Sequence, residues 1–461
     1  MINSSAKRLE IGPVAFLVAG LMFMQFLDGA ILPTAAPTIA RSFHILSAQL
    51  GICVTSYIVT VLVLIPISAW LADKYGVRLV LFTSIAIFIV GSLLCSLSNN
   101  LVELTAMRIL QGIGAASMVP VGRLILMRSV DKSQVIRVIS YSVWPALAAP
   151  VVAPVVGGFI IAHASWHWIF LVNVPIGLIA LLIGIKIVPR IPGGKVERLD
   201  WLGFYGCALS LGLLVLAAAN LGSPHINLVS TLLLLVVGIG IGLPTIRHLR
   251  RSAEPLINLS VLKIQTFHLN CTSGLLFRVA QNTPPFVLPL LFQDKFGWSA
   301  ERAGGVLFFY MLGNLIFKVF TTPLMNKFRF KPLILLAILL SAPLTLTLGL
   351  IGSSIPFIWL TLLLLFAGGI RSIGMTLFNT ITFADTNQEI MAHANTITNM
   401  VQQLASVIAV AIAVIALNLG RVLAGAQNQF IFAFSCAVLV LAISLWNVAS
   451  LPRTAGDSLR K

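Results

Sequence analysis

Thirteen carboxylate side chains occur in 461 residues, and one of them, Asp28, sits deep in an apolar run, FLDGAILPTAAP. Taken out of water, a carboxyl group loses the hydration that favours its charged form, which suits it to taking up and releasing a proton near neutrality. Arg108 lies in another apolar run, and a charged side chain at membrane depth costs at least about 2.5–3.5 kcal/mol. It therefore needs an internal partner. Asp28 can exchange a proton, or it can be permanently paired with Arg108 as a structural bridge. Glu103, near the start of the run that carries Arg108, is a second acidic candidate, or else a solvated helix-start residue.

Farther along the chain, Arg278, Lys318 and Arg371 also fall within apolar runs, and those runs hold no acidic residue to match them. Such groups must face a wet cavity, backbone carbonyls or a bound anion. With Gln281, Asn282, Phe286, Asn314, Asn379, Asn399 and Gln402 around them, they are expected to line a path that favours an anionic or zwitterionic amphiphile. The plainer readings are that Lys318 snorkels to an interface and that the amides hold helices together.

The elements that position these groups share one length. Of all residues 58% are hydrophobic and only 9% charged, with a mean hydropathy of +1.02, whereas soluble chains carry about a quarter charged residues. Most of the surface must be solvated by lipid. Crossing about 30 Å of hydrocarbon takes about 20 helical residues. Fourteen such runs can be marked: 12–34, 48–71, 79–98, 101–121, 138–161, 167–188, 201–220, 228–247, 268–291, 303–324, 332–352, 356–380, 394–418 and 429–450.

The net charge of +17 and pI near 10.3 do not point to nucleic acid. That reading needs a basic face on a compact domain, and here Lys and Arg fall in short gaps between apolar runs. With the amino terminus in the cytoplasm, 22 of the 30 basic residues lie on that side, from Lys7, Arg8, Lys74, Arg78 and Arg123 to Arg453, Arg460 and Lys461. Only Arg41, Lys295, Arg302 and Arg421 lie on the other. Such an asymmetry places both termini inside. The five cysteines stand singly in apolar stretches, without the close pairs that metal or redox sites need.

A weak repeat relates residues 69–81, AWLADKYGVRLVL, between runs two and three, to residues 322–334, TPLMNKFRFKPLI, between runs ten and eleven. It divides the chain into a six-helix bundle over 1–190, two linking transmembrane helices over 191–265, and a second six-helix bundle over 266–461.

Four stretches carry more specific patterns. Leu71-Ala72-Asp73-Lys74-Tyr75-Gly76-Val77-Arg78 sets a tight-turn glycine and flanking charges between two runs. Run four contains Arg108-Ile-Leu-Gln111-Gly112-Ile-Gly114-Ala115-Ala116, whose small residues permit close helix approach. Run five contains APVVAPVVGG from Ala149, with Pro150, Pro154, Gly157 and Gly158. Proline deletes a backbone donor and glycine removes bulk, so this helix can kink and lie against a neighbour. The fourth stretch is Trp166-His167-Trp168-Ile169-Phe170-Leu171-Val172-Asn173-Val174-Pro175-Ile176-Gly177.

These stretches resemble the major facilitator superfamily, in its fourteen-helix drug:proton antiporter branch, over nearly the whole chain. They are similar to its G-x-L-A-D-R-x-G-R-K loop, its R-x-x-Q-G-x-G-A-A stretch, its G-P-x-x-G-P-x-x-G-G antiporter motif and its W-R-W-I-F-x-x-N-x-P-x-G stretch. FLDGAILPTAAP resembles the branch's first-helix motif. The departures are Ala69 and Val77 in the loop, Ala149 and Ala153 in run five, and His167 for Arg.

The resemblance implies an all-α membrane protein with the major facilitator fold in a bacterial inner membrane. It also implies Asp28, Arg108 and Glu103 in proton coupling, and Asp73, Gly76 and Arg78 in a gating loop that clamps the two halves together when the cytoplasmic side is shut. The expected activity is proton-coupled antiport exporting a small amphiphile by alternating access. The expected partners are a small-molecule substrate, protons, the lipid bilayer and a periplasmic adaptor, for a monomeric chain. No cofactor and no enzymatic chemistry are expected: the sequence has no G-x-x-x-x-G-K-[ST] pattern and no metal-ligand cluster. An importer of the same architecture and a many-spanned membrane scaffold or enzyme are the competing classes. The antiporter-like run five stands against the first, and the lack of a catalytic constellation or a large soluble loop stands against the second.

Overall fold

The computed structural model describes residues 11–129, 135–189, 193–194, 199–221, 227–252, 255–257, 259–382, 384–385 and 391–449. Of the cations used to orient the chain, Lys7, Arg8, Lys132, Arg190, Lys195, Arg198, Arg453, Arg460 and Lys461 lie outside them.

The long apolar runs become helices because only internally hydrogen-bonded backbone is tolerated in lipid. The first half holds α1 (Ile11–Ser42), α2 (Gly51–Tyr75), α3 (Val77–Ser96), α4 (Leu101–Ser129), α5 (Val135–His163) and α6 (Trp168–Ile187). Two more follow, α7 (Trp201–Leu221) and α8 (Leu228–Arg251). The second half holds α9 (265–295), α10 (Ala300–Lys327), α11 (Phe330–Leu350), α12 (Phe357–Ile381), α13 (Met391–Ala424) and α14 (Gln429–Ala449). Among the described residues, twelve of these are long and apolar enough to cross a membrane. The other two are α5 and α9. In α9 the helix widens into π turns at Asn270–Gly274 and Leu291–Lys295, and its middle carries Pro284, Pro285 and Pro289.

Two boundaries differ from the sequence reading in ways that matter. Run four was expected to stop near residue 121, but α4 continues to Ser129, so Arg123 belongs to a helix rather than to a loop. Run one likewise extends through Pro33 and Pro37 to Ser42.

The closing ends of α2, α4, α6, α8, α10 and α12 share a face with the start of α1 and the end of α14, here the terminal face; the opposite one is the far face. Packing differs sharply between them. Toward the far face, one apolar cluster runs through both halves, joining Ile31, Ile39 and Phe170 to Phe286, Phe292 and Tyr310. Toward the terminal face the core separates into a cluster of the first half, around Leu21, Val80 and Ile125, and one of the second, around Phe277, Phe330 and Leu441. The halves are thus sealed at the far face and parted at the terminal face.

The seal rests on backbone contact between α5 and α10. A Cβ on Gly158 would sit 2.5 Å from the Ala300 carbonyl oxygen. On Gly304 it would fall on the Pro154 carbonyl. Only glycine lets two helices meet this closely. The linking helices stand outside: α7 lays Phe204, Ala208 and Leu211 against Val59 and Val63 of α2 and Val407 of α13. α8 presents Leu232, Leu233 and Val236 outward, an apolar surface suited to lipid.

Candidate functional site

Asp28, midway along α1, is 1% exposed and meets side chains from two other helices. Arg108 Nη1 on α4 donates to Asp28 Oδ2 at 2.6 Å. Asp28 Oδ1 accepts from Gln111 Nε2 at 2.9 Å and from Asn173 Nδ2 on α6 at 2.8 Å. Arg108 and Gln111 are three residues apart and share a helix face, so Arg108 also donates to the Gln111 side-chain oxygen Oε1. Gln111 Nε2 lies 2.7 Å from Ser92 Oγ on α3, and the guanidinium lies over the Tyr57 ring of α2, 4.1 Å from its centroid. Five of the six helices of the first half converge on one carboxylate.

A buried charge of this kind is tolerable only when paired and hydrogen-bonded. A proton on Asp28 would cancel the charge that Arg108 faces and turn one acceptor oxygen into a donor, loosening α1 from α4 and α6. Arg108 Nε, Asn173 Oδ1 and Tyr57 Oη have no partner here.

Gln111 and Asn173 were not singled out by sequence reasoning, although both stand inside the quoted stretches, as the Gln of R-x-x-Q-G and the Asn before Val174-Pro175. Ser92 and Tyr57 carry no sequence signal. Glu103 is not brought to this site. It is exposed at the start of α4, accepting from the Asn99 N–H at 2.8 Å and from Asn100 Nδ2 at 2.7 Å, while its own N–H donates to Asn100 Oδ1. It caps the helix.

The cations of the second half do not form one cluster. Arg278, 1% exposed on α9, donates from Nη2 to Asn379 Oδ1 at 2.7 Å, and that oxygen also receives Gln402 Nε2 at 3.1 Å. Arg278 Nε and Nη1 are left without partners, as is Gln281 Nε2. Arg371 on α12 donates from Nε to the Gln281 carbonyl and from Nη2 to Asn282 Oδ1, both at 3.0 Å, and Asn282 Nδ2 donates to Ser406 Oγ on α13 at 3.1 Å. Both arginines are thus held by amides and carbonyls. Among the described residues, no carboxylate lies within ion-pair distance of Arg278, Arg371 or Lys318.

Lys318 and Asn314, on α10, line a cavity of about 260 Å³ between the halves, together with Arg123 of α4 and Pro150 of α5. Phe286 does not join either group. It is 2% exposed within the far-face seal.

The loop residues work within the first half in this state. Gly76 has φ 88°, a left-handed value that favours glycine, and makes the break between α2 and α3. Arg78 donates to the carbonyls of Ile185 at 2.8 Å and Val188 at 3.2 Å, at the end of α6, and the Asp73 carbonyl accepts from the Gly194 N–H at 2.8 Å. With the halves parted at the terminal face, Arg78 thus holds α3 on α6. Of the antiporter-like residues, Pro154 and Gly158 meet α10, and Gly157 packs on Ile31 of α1.

Outside the spans, Asp200 precedes α7 and ties it to α8. Its carboxylate accepts from the Gly203 N–H at 2.8 Å, meets His248 Nε2 at 2.8 Å and accepts from the Leu256 N–H at 3.2 Å. Burial opposes its ionisation, but these partners outweigh it and hold the carboxyl below the usual carboxylate range.

Two helical halves, joined at one face, parted at the other and carrying buried charge between and within them, make a multi-pass membrane transporter. The chain belongs to the Major Facilitator Superfamily, whose family model matches residues 18–410. Among its relatives, "Probable transport protein HsrA" of Haemophilus influenzae is 32% identical over 452 residues, covering 97% of each chain. "Putative multidrug resistance protein MdtD" of Pectobacterium carotovorum is 33% identical over 450 residues, covering 96% of this chain and 95% of that one. Among solved structures, a D-xylose-proton symporter matches with a TM-score of 0.70 at 17% identity, over 97% of this chain and 99% of that one. The inward open xylose transporter XylE from E. coli matches with 0.62 at 16%, over 98% of this chain and all of the other. These last two share the fold.

Proposed function

We propose that this protein is a proton-coupled antiporter that exports a small amphiphile from the cytoplasm by alternating access. The observation that carries the reading is the Asp28–Arg108 pair, one buried carboxylate bridging the helices of the first half beneath a far-face seal. The names of the relatives, a multidrug resistance protein and a transport protein, support the direction and the breadth of cargo. The proton and the cargo each shift the two packings only as far as their affinities for those packings differ.

The terminal face is cytoplasmic in this reading, both chain ends lie inside a bacterial inner membrane, and the parted halves collect cargo from within. The basic asymmetry of the loops supports that orientation. A monomer is the working unit, the proton gradient is the driving force without a bound cofactor, and a periplasmic adaptor is a candidate partner.

Inverted vesicles test the proposal. With an acidic lumen, vesicles containing the parent protein should accumulate a fluorescent lipophilic dye, and those with Asp28→Asn should not. Gradient-driven accumulation by Asp28→Asn equal to that of the parent would remove Asp28 from the coupling step.

A further inference from the structure

The cavity between α4 and α10 brings together two cations that the sequence places nearly two hundred residues apart. Arg123 lies six residues before the end of α4 at Ser129, and Lys318 nine before the end of α10 at Lys327. At 1.5 Å per residue they sit about 9 and 14 Å inside the terminal-face ends of their helices. Neither has a hydrogen-bonding or ion-pair partner among the described residues. Arg371 of α12 is held elsewhere, by the Gln281 carbonyl and Asn282 Oδ1. Two positive groups, Arg123 half-buried and Lys318 exposed, thus line one cavity without a carboxylate among the described residues.

The rest of the cavity wall is of a different kind. Met22 and Phe26 of α1 and Met311 of α10 supply apolar, adaptable surface, and Asn314 adds one neutral polar side chain. The cavity is slightly smaller than the roughly 300 Å³ at which drug-sized pockets begin. It is open between the two halves, on the side where their cores separate.

We infer that this cavity is the station for the acidic group of an amphiphilic anion, held between Arg123 and Lys318 with its apolar body against Met22, Phe26 and Met311. The inference rests on the transport reading and gives it a cargo class. A cationic amphiphile meets repulsion from both positive groups. An acid supplies the counter-charge that the chain itself omits, and it bridges α4 of one half to α10 of the other. The same chemistry fits a soluble organic acid and the phosphate of an anionic lipid.

Equilibrium binding to the full chain in neutral phosphatidylcholine nanodiscs tests this with pairs that share a body and differ in charge: 1-naphthaleneacetate against 1-naphthylmethylammonium, and decanoate against decylammonium. At least one acid should bind about tenfold or more tightly than its ammonium counterpart. Arg123→Gln and Lys318→Gln should each weaken that acid by about tenfold, as the loss of one charged hydrogen bond does, while Lys318→Arg keeps it and ammonium binding does not weaken. The inference is overturned if the parent binds neither acid, if it binds both charge forms alike, or if a folded Arg123→Gln/Lys318→Gln variant, monodisperse and with the parent's Tm, keeps the acid affinity. Phosphatidylglycerol nanodiscs separate the sources. Competition by that lipid in the parent and not in the double variant assigns the station to a lipid phosphate, and no competition assigns it to a soluble acid. Binding needs no proton gradient, so intact acid binding with no gradient-driven transport sinks the transport reading alone.

Discussion

Arg108 reaches Asp28 across the first half with an Nη1 to Oδ2 distance of 2.6 Å, while Gln111 and Asn173 share the other carboxylate oxygen. One acid therefore fixes the spacing of α1, α4 and α6, and the two residues of the pair should not be separable at equal cost. Removing one partner of a buried ion pair leaves the other charge uncompensated, a loss of about 3–5 kcal/mol. Arg108→Gln should lower the Tm of the purified protein strongly. Asp28→Asn/Arg108→Gln, which removes both charges, should recover more than half of that loss. A double variant no more stable than Arg108→Gln alone would show that the pair does not hold the half together.

The far-face seal gives a second prediction. A side chain at Gly158 meets the Ala300 carbonyl, and one at Gly304 meets the Pro154 carbonyl. Gly158→Val should therefore keep α5 and α10 apart and shift the population away from the sealed state. With Leu307, buried in that seal, changed to cysteine in a background lacking the native cysteines, a membrane-impermeant maleimide should label Gly158→Val from the far face several-fold faster than the parent. Equal labelling rates would mean that the contact does not govern closure.

The number of helices was legible in the sequence because lipid demands an apolar run for each, but their ends were not, as α1 and α4 show. Asp28 and Arg108 were legible for the same reason: charge in an apolar run must have a partner. Their pairing was offered by the sequence, but the further partners were not legible, since Gln111 and Asn173 serve equally well as packing residues in sequence and acquire a role only when α4 and α6 meet α1. Arg123 was misplaced because its charge was taken as the end of a helix, whereas a parted interface lets a cation remain inside one. Phe286 was misplaced because no sequence pattern says which face of a proline-interrupted helix such as α9 turns to the seal. Glu103 shows the reverse: a carboxylate three residues after Asn100 is a capping pattern, and local chemistry sufficed.

Arg278 supplies a third prediction, because it is fully buried and held by one amide. Asn379→Leu strips that acceptor and leaves the guanidinium without any side-chain partner, which should cost about 1.5–3 kcal/mol, the value of a hydrogen bond to a charged group. Arg278→Met keeps the aliphatic bulk and removes the charge, so its cost should be smaller. Thermal melting of the two variants compares them directly. Arg278→Met melting well below Asn379→Leu would mean that the positive charge is needed for folding and not merely tolerated.

The joint between the linking helices should respond to pH with a defined sign. Asp200 sits 6% exposed at the start of α7 and is held below the usual carboxylate range despite its burial, because the Gly203 and Leu256 N–H groups and His248 favour its charged form. A carboxyl group depressed on folding adds stability in full above its unfolded value, about 3.9. That contribution is lost as pH falls through the lower folded value. Asp200→Asn should thus reduce Tm at pH 7 by about 2 °C, and parent and variant should converge as the pH falls through the folded value of Asp200. A difference that stays constant down to that pH would locate the loss in the shape of the side chain rather than in its charge.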